Sequence, residues 1–285
     1  MGAIQELLHG SIDMHIHHGP DPRVERRVDA LGAALHAQEA GMRAIVLKSH
    51  EYPTAPLAAL AAQRAPGVHV FGSLCLDAEV GGLNPAAVEA SAKLGAKVIW
   101  MPTFSAANNR RYKGEAGGIT ILDDRGRLLP VVGEILELVG QHQLVLASGH
   151  LSAPEVAALV KEATGRELTR VVVTHPSEPS VGTLMDIAGQ RELAAQGAYI
   201  EHCFGSTLPG GARIDPRALV EQVRAVGAER CVISTDLGQA HNPAPAEGMR
   251  MAVGCLLRWG LSEREIALLI KDNPARLLGL DAREG

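Results

Sequence analysis

A chain of 285 residues that is 46% hydrophobic and 21% charged is long enough to bury a large core. Its formal net charge of −5, with no long basic run, gives no electrostatic footprint for nucleic acid. No charged region followed by an apolar stretch marks a signal peptide at the N-terminus, and no segment is apolar for long enough to span a membrane.

The four cysteines (Cys75, Cys203, Cys231 and Cys255) are widely spaced and form no C-x-x-C pair, so they predict reduced thiols and a cytoplasmic protein. The first element in chain order is a strand over 12–17, within Ser11-Ile12-Asp13-Met14-His15-Ile16-His17-His18-Gly19. Strand alternation predicts His15 and His17 on one face, with Ile12, Met14 and Ile16 on the other. Two such imidazoles can grip one metal ion. Alone, the pair is equally compatible with a polar edge or with two satisfied histidines.

Further strands are predicted at 44–49, 68–75, 97–102, 144–148, 171–175, 198–203 and 231–235, separated by Ala/Leu/Glu-rich helical stretches. About eight βα units predict a (β/α)8 TIM barrel, one α/β domain over 1–285. An open doubly wound sheet fits less well, because no Gly-rich phosphate turn is present. The interval after the fourth strand is longer. Tyr112 to Gly118 reads as a Gly-rich loop, and Ile119 to Leu122 with the turn Asp123-Asp124-Arg125-Gly126 reads as a β-hairpin. Barrel active sites lie at the C-terminal ends of strands, so this insertion is expected to cover the site as a lid or wall, unless it only decorates the surface.

Histidines collect at the predicted strand ends. His15, His17 and His18 close the first strand, His50 the second, His150 the fifth and His175 the sixth, with His202 in the seventh. In a barrel these ends converge on one rim, where packing alone gives histidines no reason to gather. The expectation is a metal centre. Lys48 shares a strand face with His50, and an inward lysine is costly unless paired or functional.

At these residues the chain resembles the amidohydrolase superfamily of metal-dependent TIM-barrel hydrolases, over its full length. That pattern has His-x-His on strand one, one His on each of strands five and six, and an Asp on strand eight. His15, His17, His150, His175 and Asp236 match it one by one. The ending Asn273-Pro274-Ala275-Arg276-Leu277-Leu278-Gly279-Leu280 is similar too. The chain departs from the pattern at strand four, where Val98-Ile99-Trp100-Met101-Pro102-Thr103 offers no bridging Lys or Glu. Three arrangements follow: a single ion, a ligand supplied by Lys48 or His50, or one supplied by Asp77 or Glu79. A single ion is favoured, since a second needs bridging ligands to offset charge repulsion.

The resemblance implies a divalent metal, zinc first and manganese or iron as alternatives, held by His15, His17, His150, His175 and Asp236. It implies metal-activated water, with Asp236 orienting that water and moving its proton. His175 is a ligand or a neutral donor to the scissile group. Lys48 is expected to anchor a substrate carboxylate, stabilise an oxyanion or pair with Asp13 or Glu201. Lys48, His50, Trp100, His202 and Arg110 are the expected substrate contacts. Phe104 and Tyr52 are further candidate pocket walls, and Asn108 to Lys113 forms a local positive patch. The predicted reaction is hydrolysis of an amide, lactone or related bond in a small molecule. A mononuclear-metal decarboxylase is the alternative; a metal-free Schiff-base lyase and a non-catalytic binding protein fit the histidines less well. No partner beyond a small molecule is indicated, and Ala-rich helices single out no face for a homo-oligomer.

Overall fold

The computed structural model describes residues 2–181 and 183–280. A short helix, α1 (Ala3–Leu8), leads into β1 (Ile12–His17). Then follow α2 (Ala30–Glu39), β2 (Ala44–Lys48), α3 (Ala55–Arg64), β3 (His69–Cys75), α4 (Pro85–Lys93) and β4 (Ala96–Trp100). The second half runs α5 (Ala107–Tyr112), α6 (Pro130–Gln141), β5 (Val145–Ala147), α7 (Ala153–Gly165), β6 (Val171–Val173), α8 (Ile187–Ala195), β7 (Tyr199–Cys203), α9 (Pro216–Val226) and β8 (Cys231–Ser234). Helices α10 (Pro245–Arg258), α11 (Glu263–Ala267) and α12 (Asn273–Leu278) close the chain. The strands form one eight-stranded parallel sheet in chain order, the sheet of a (β/α)8 barrel.

Two apolar layers hold this arrangement. Ile12, Met14, Val46, Val98, Trp100, Val172 and Tyr199 fill the barrel interior, while Ile16, Leu47, Ile99, Leu146, Ile200 and Ile233 pack between sheet and helices. Helix starts are set by short polar caps. Asp29 accepts from the Gly32 amide at 2.7 Å, and Asp186 from the Gly189 amide at 2.8 Å.

Strand β1 departs from strict alternation. Its pairing with β2 shifts between Asp13 and Ile16, a bulge that sets Ile16 against the helices although Ile12 and Met14 face the interior. The predicted single apolar face is therefore split. The bulge turns the end of β1 so that both histidines reach the barrel mouth.

The barrel closes between β1 and the segment following β8. The Asp236 amide donates to the His15 carbonyl at 2.8 Å, and the His17 amide to the Leu237 carbonyl at 2.7 Å. Buried Asp13 staples this seam by accepting from the Thr235 amide at 3.0 Å and hydroxyl at 2.6 Å. At Gly238 a Cβ would lie 2.1 Å from the His17 carbonyl oxygen, so only glycine lets the chain pass there.

The segment after β4 forms no pair of strands. Residues 107–112 are helical, and the turn at Asp123–Arg127 is spanned by a single antiparallel bridge between Leu122 and Leu128. The turn is closed by backbone bonds from the Asp123 amide to the Arg127 carbonyl and from the Gly126 amide to the Asp123 carbonyl, and by the Asp123 carboxylate, which accepts from the Arg125 and Arg127 amides. Buried Glu155, near the start of α7, fastens this segment to the barrel: one oxygen accepts from the Thr120 hydroxyl at 2.8 Å and the Ile121 amide at 3.1 Å. Its other oxygen accepts from the Ser152 amide and hydroxyl, completing a capping box.

Candidate active site

The seam of the barrel brings β1 and the end of β8 together. One oxygen of Asp236, Oδ1, lies 3.1 Å from His15 Nε2 and 3.0 Å from His17 Nε2. Asp236 has φ 54° and His175 has φ 26°, left-handed conformations that side chains rarely adopt and that mark sites built under strain. Gly149, just before His150, has φ 60°, and a Cβ there would meet the Met101 carbonyl oxygen at 2.3 Å. Its absence lets the end of β5 approach β4 and set His150 beside His175, ring centres 5.2 Å apart. His15 and His175 are 5.8 Å apart. A cavity of about 230 Å³ opens on these groups, lined by His17, Lys48, His50, His150, His175 and Asp236 among others.

Electrostatics divide the imidazoles. Burial opposes ionisation of Asp236, but His15 and His17 beside it hold its carboxyl well below the usual carboxylate range. Burial also opposes charge on His15, yet Asp236 and Glu201 outweigh it and push its pKa up to about 9. One carboxylate oxygen cannot compensate two imidazolium ions, and burial holds His17 down to about 3. Burial likewise holds His175 at about 4 and keeps His150 well below its ordinary value. His17, His150 and His175 thus keep the lone pair that a metal ion needs, whereas His15 would give up its proton to bind one.

This donor set fits a divalent ion. The ligand atoms of His15, His17 and Asp236 lie within 4.8 Å of one another. The Nδ1 atoms of His150 and His175 are buried without a hydrogen-bond partner, as expected of side chains not placed for protein bonding alone. Glu201, weighed from sequence only as a partner for Lys48, sits 3.3 Å from His15 Nδ1 and can hold that ring in place. Its position on β7 two residues before Cys203, both facing inward, was the available signal.

Lys48 is fully buried, with its Nζ 2.9 Å from His15 Nε2 and 5.0 Å from the Trp100 ring centre. Among the described residues it pairs with no carboxylate; Asp13 is taken by Thr235 and Glu201 by His15. Trp100 packs in the interior against His15, at 5.3 Å, and does not line the cavity.

Two expected contacts lie elsewhere. On β7, Tyr199, Glu201 and Cys203 face inward, which puts His202 on the Ile200 side with the helices, and it is absent from the cavity wall. Arg110 is on α5, partly exposed and paired with Glu115 at 3.4 Å. The predicted positive loop is this helix, whose Asn108 donates to the His150 carbonyl at 3.1 Å and so supports the rim. Tyr52 donates to the Pro20 carbonyl at 2.5 Å, outside the cavity wall, whereas Phe104 lines it. Glu79 is committed to Arg23 outside the metal cluster.

With the geometry in place, comparison with known proteins divides into family and fold. A family model matches residues 10–201. The chain belongs to the family of unknown function DUF6282. That match covers β1 through the middle of β7, which carry every histidine of the centre but not Asp236. No curated protein matches the chain. Among solved structures, an amidohydrolase from Pseudomonas aeruginosa is similar with a TM-score of 0.65 and 14% identity, over 96% of this chain and 98% of that one. A 2,6-dihydroxybenzoate decarboxylase from Rhizobium gives 0.59 and 15%, over 96% and 100%. A lactonase from Listeria monocytogenes gives 0.61 and 11%, over 98% and 97%. The expected resemblance to the amidohydrolase superfamily is thus met at the level of fold. Among the described residues, no helix is long and apolar enough to cross a membrane.

Proposed function

We propose that this DUF6282 chain is a metal-dependent hydrolase of a small, anionic molecule. The observation that carries the reading is the convergence of His15, His17 and Asp236 at the mouth of a cavity also walled by His150 and His175. These five residues would hold the ion. Zinc suits imidazole and carboxylate donors without redox chemistry, with manganese or iron as alternatives. The end of β4 supplies no bridging carboxylate, which favours one ion over two. When bound, the ion makes a water acidic enough to lose its proton near neutrality. Asp236 accepts that proton and returns it to the leaving group. His175, kept neutral, orients the scissile group where it is not a ligand. Lys48, without a carboxylate of its own, receives the anionic group of the substrate. His50 contributes a further wall, and Trp100 supports His15 from beneath.

A decarboxylase is the second reading, because an unpaired Lys48 beside the centre also suits a substrate carboxylate positioned for loss. Protein purified without added metal should carry about one equivalent of divalent metal by elemental analysis, zinc first; two equivalents or no metal overturns the single-ion centre. Zinc-loaded protein offered small carboxylate-bearing substrates should release protons from lactones and free amine from amides, whereas release of carbon dioxide selects the decarboxylase. Asp236→Asn should keep most of the zinc and lose about 10²–10⁴-fold in turnover, and full activity in that variant refutes the proton-transfer role.

A further inference from the structure

His50 has a geometry that the proposed hydrolysis does not use. Its ring is sandwiched between Phe104, at 3.9 Å and 21°, and His17, at 4.9 Å and 25°. Its Nδ1 lies 2.6 Å from the Thr103 hydroxyl, and that hydroxyl in turn bonds Asp77 Oδ2. The other oxygen of Asp77 accepts from the Thr103 amide at 2.9 Å and the Ser105 amide at 2.8 Å. Asp77 and Thr103 are fully buried, and His50 nearly so.

The direction of this chain follows from what each group can give. An ionised carboxylate only accepts, so the single Thr103 hydroxyl hydrogen goes to Asp77. The Thr103 oxygen is then an acceptor, and His50 must donate to it from Nδ1–H. With its Nδ1–H given to Thr103, and no carboxylate or other acceptor bonded at Nε2 among the described residues, the ring has nothing to hold a second proton, and Nε2 is left bare. The same donor atoms, with Cys75, lie close enough to hold an ion. The hydrogen bonds argue against that use: Asp77 already accepts three, and the His50 nitrogen nearest it is occupied by Thr103.

We propose that Asp77 and Thr103 lock His50 as its Nδ1–H tautomer, so that Nε2 faces the cavity as a permanent hydrogen-bond acceptor for a donating group, hydroxyl or N–H, on the bound ligand. This deepens the hydrolase reading and rests on it for the word substrate, but the lock itself is independent of metal and turnover. With Lys48 from the same strand end, the site then selects a molecule carrying both an anionic group and a hydrogen-bond donor. Asp77 and Thr103 are positioning residues in this scheme.

The test is the tautomer. In zinc-loaded protein with 15N-labelled histidine, two-bond 1H–15N correlation spectra should show His50 with a protonated Nδ1 and a bare Nε2, the signal being assigned by its loss in His50→Gln. Asp77→Asn reverses the chain, because the new amide donates to the Thr103 oxygen and Thr103 must donate to His50 Nδ1. The two nitrogen signatures should exchange in that variant. Thr103→Val, which removes the relay with little change of volume, should abolish the single-tautomer pattern and serves if Asp77→Asn does not fold. Zinc content of His50→Gln should equal that of the parent. A protonated Nε2 in the parent, an unchanged pattern in the folded variants, or zinc lost with His50 overturns the proposal. Failure of the hydrolase reading would show instead as absent zinc or absent turnover, with the tautomer pattern intact.

Discussion

Lys48 carries a buried positive charge whose protein neighbours are a ring nitrogen and an indole face. Such a charge is tolerated only where something outside the protein answers it, because desolvating an ammonium costs several kcal/mol. Lys48→Met should therefore leave the free protein as stable or more stable, by about 1–4 kcal/mol, in urea titrations. The same variant should raise KM for a carboxylate-bearing substrate by at least tenfold. A variant that is strongly destabilised would mean that Lys48 is a structural prop. From sequence, the inward placement of Lys48 was legible from alternation on β2. That neither Asp13 nor Glu201 would pair with it was not, since both are claimed by residues far away in the chain.

The βα rhythm is the most local feature of this chain, and all eight predicted strands lie within two residues of the observed ones at either end; β4 and β6 each stop two residues short of the predicted end. Strands and helices of this kind are set by short-range patterning of branched, Ala-rich and capping residues. Two features escaped it. The bulge in β1 depends on pairing with β2, which no single strand encodes. The segment after β4 lacks a ladder because amides at Arg127 and Ile121 donate to the carboxylates of Asp123 and Glu155 instead. Glu155→Ala removes both the cap of α7 and the tie to Thr120 and Ile121. We expect a loss of about 2–3 kcal/mol in denaturant unfolding and faster proteolysis between Arg110 and Arg127. Unchanged cleavage there would show that the segment is held by other contacts.

At the scale of the whole molecule, buried neutral histidines link stability to pH. His202 is buried among the outer strand layer, and burial lowers its pKa from 6.5 to about 4. Between pH 6.5 and 4 the unfolded chain binds a proton there that the folded chain refuses, so stability falls as pH falls through that window. His202→Leu should make the decline shallower by about 1.4 kcal/mol per pH unit, measured by urea unfolding at pH 7, 6 and 5. An identical slope would mean that His202 is charged in the folded protein. Its position on the helix side of β7 also explains why it is no substrate contact, although it lies at a strand end like the others.

Read alone, the residues determine the barrel and its strands and gather histidines at the strand ends, because periodicity and strand-end position are local properties; the expected set His15, His17, His150, His175 and Asp236 comes from the resemblance to the amidohydrolase pattern. Which atoms meet was decided only on closing the barrel. The seam between β1 and the end of β8 brings one Asp236 oxygen to two imidazoles, the alternation of β7 sends Glu201 inward and His202 outward, and the packing of β2 against the loop after β4 joins His50 to Thr103 and Asp77. Those are contacts between residues dozens to hundreds of positions apart, and directional bonds of that range exist only once the chain has folded.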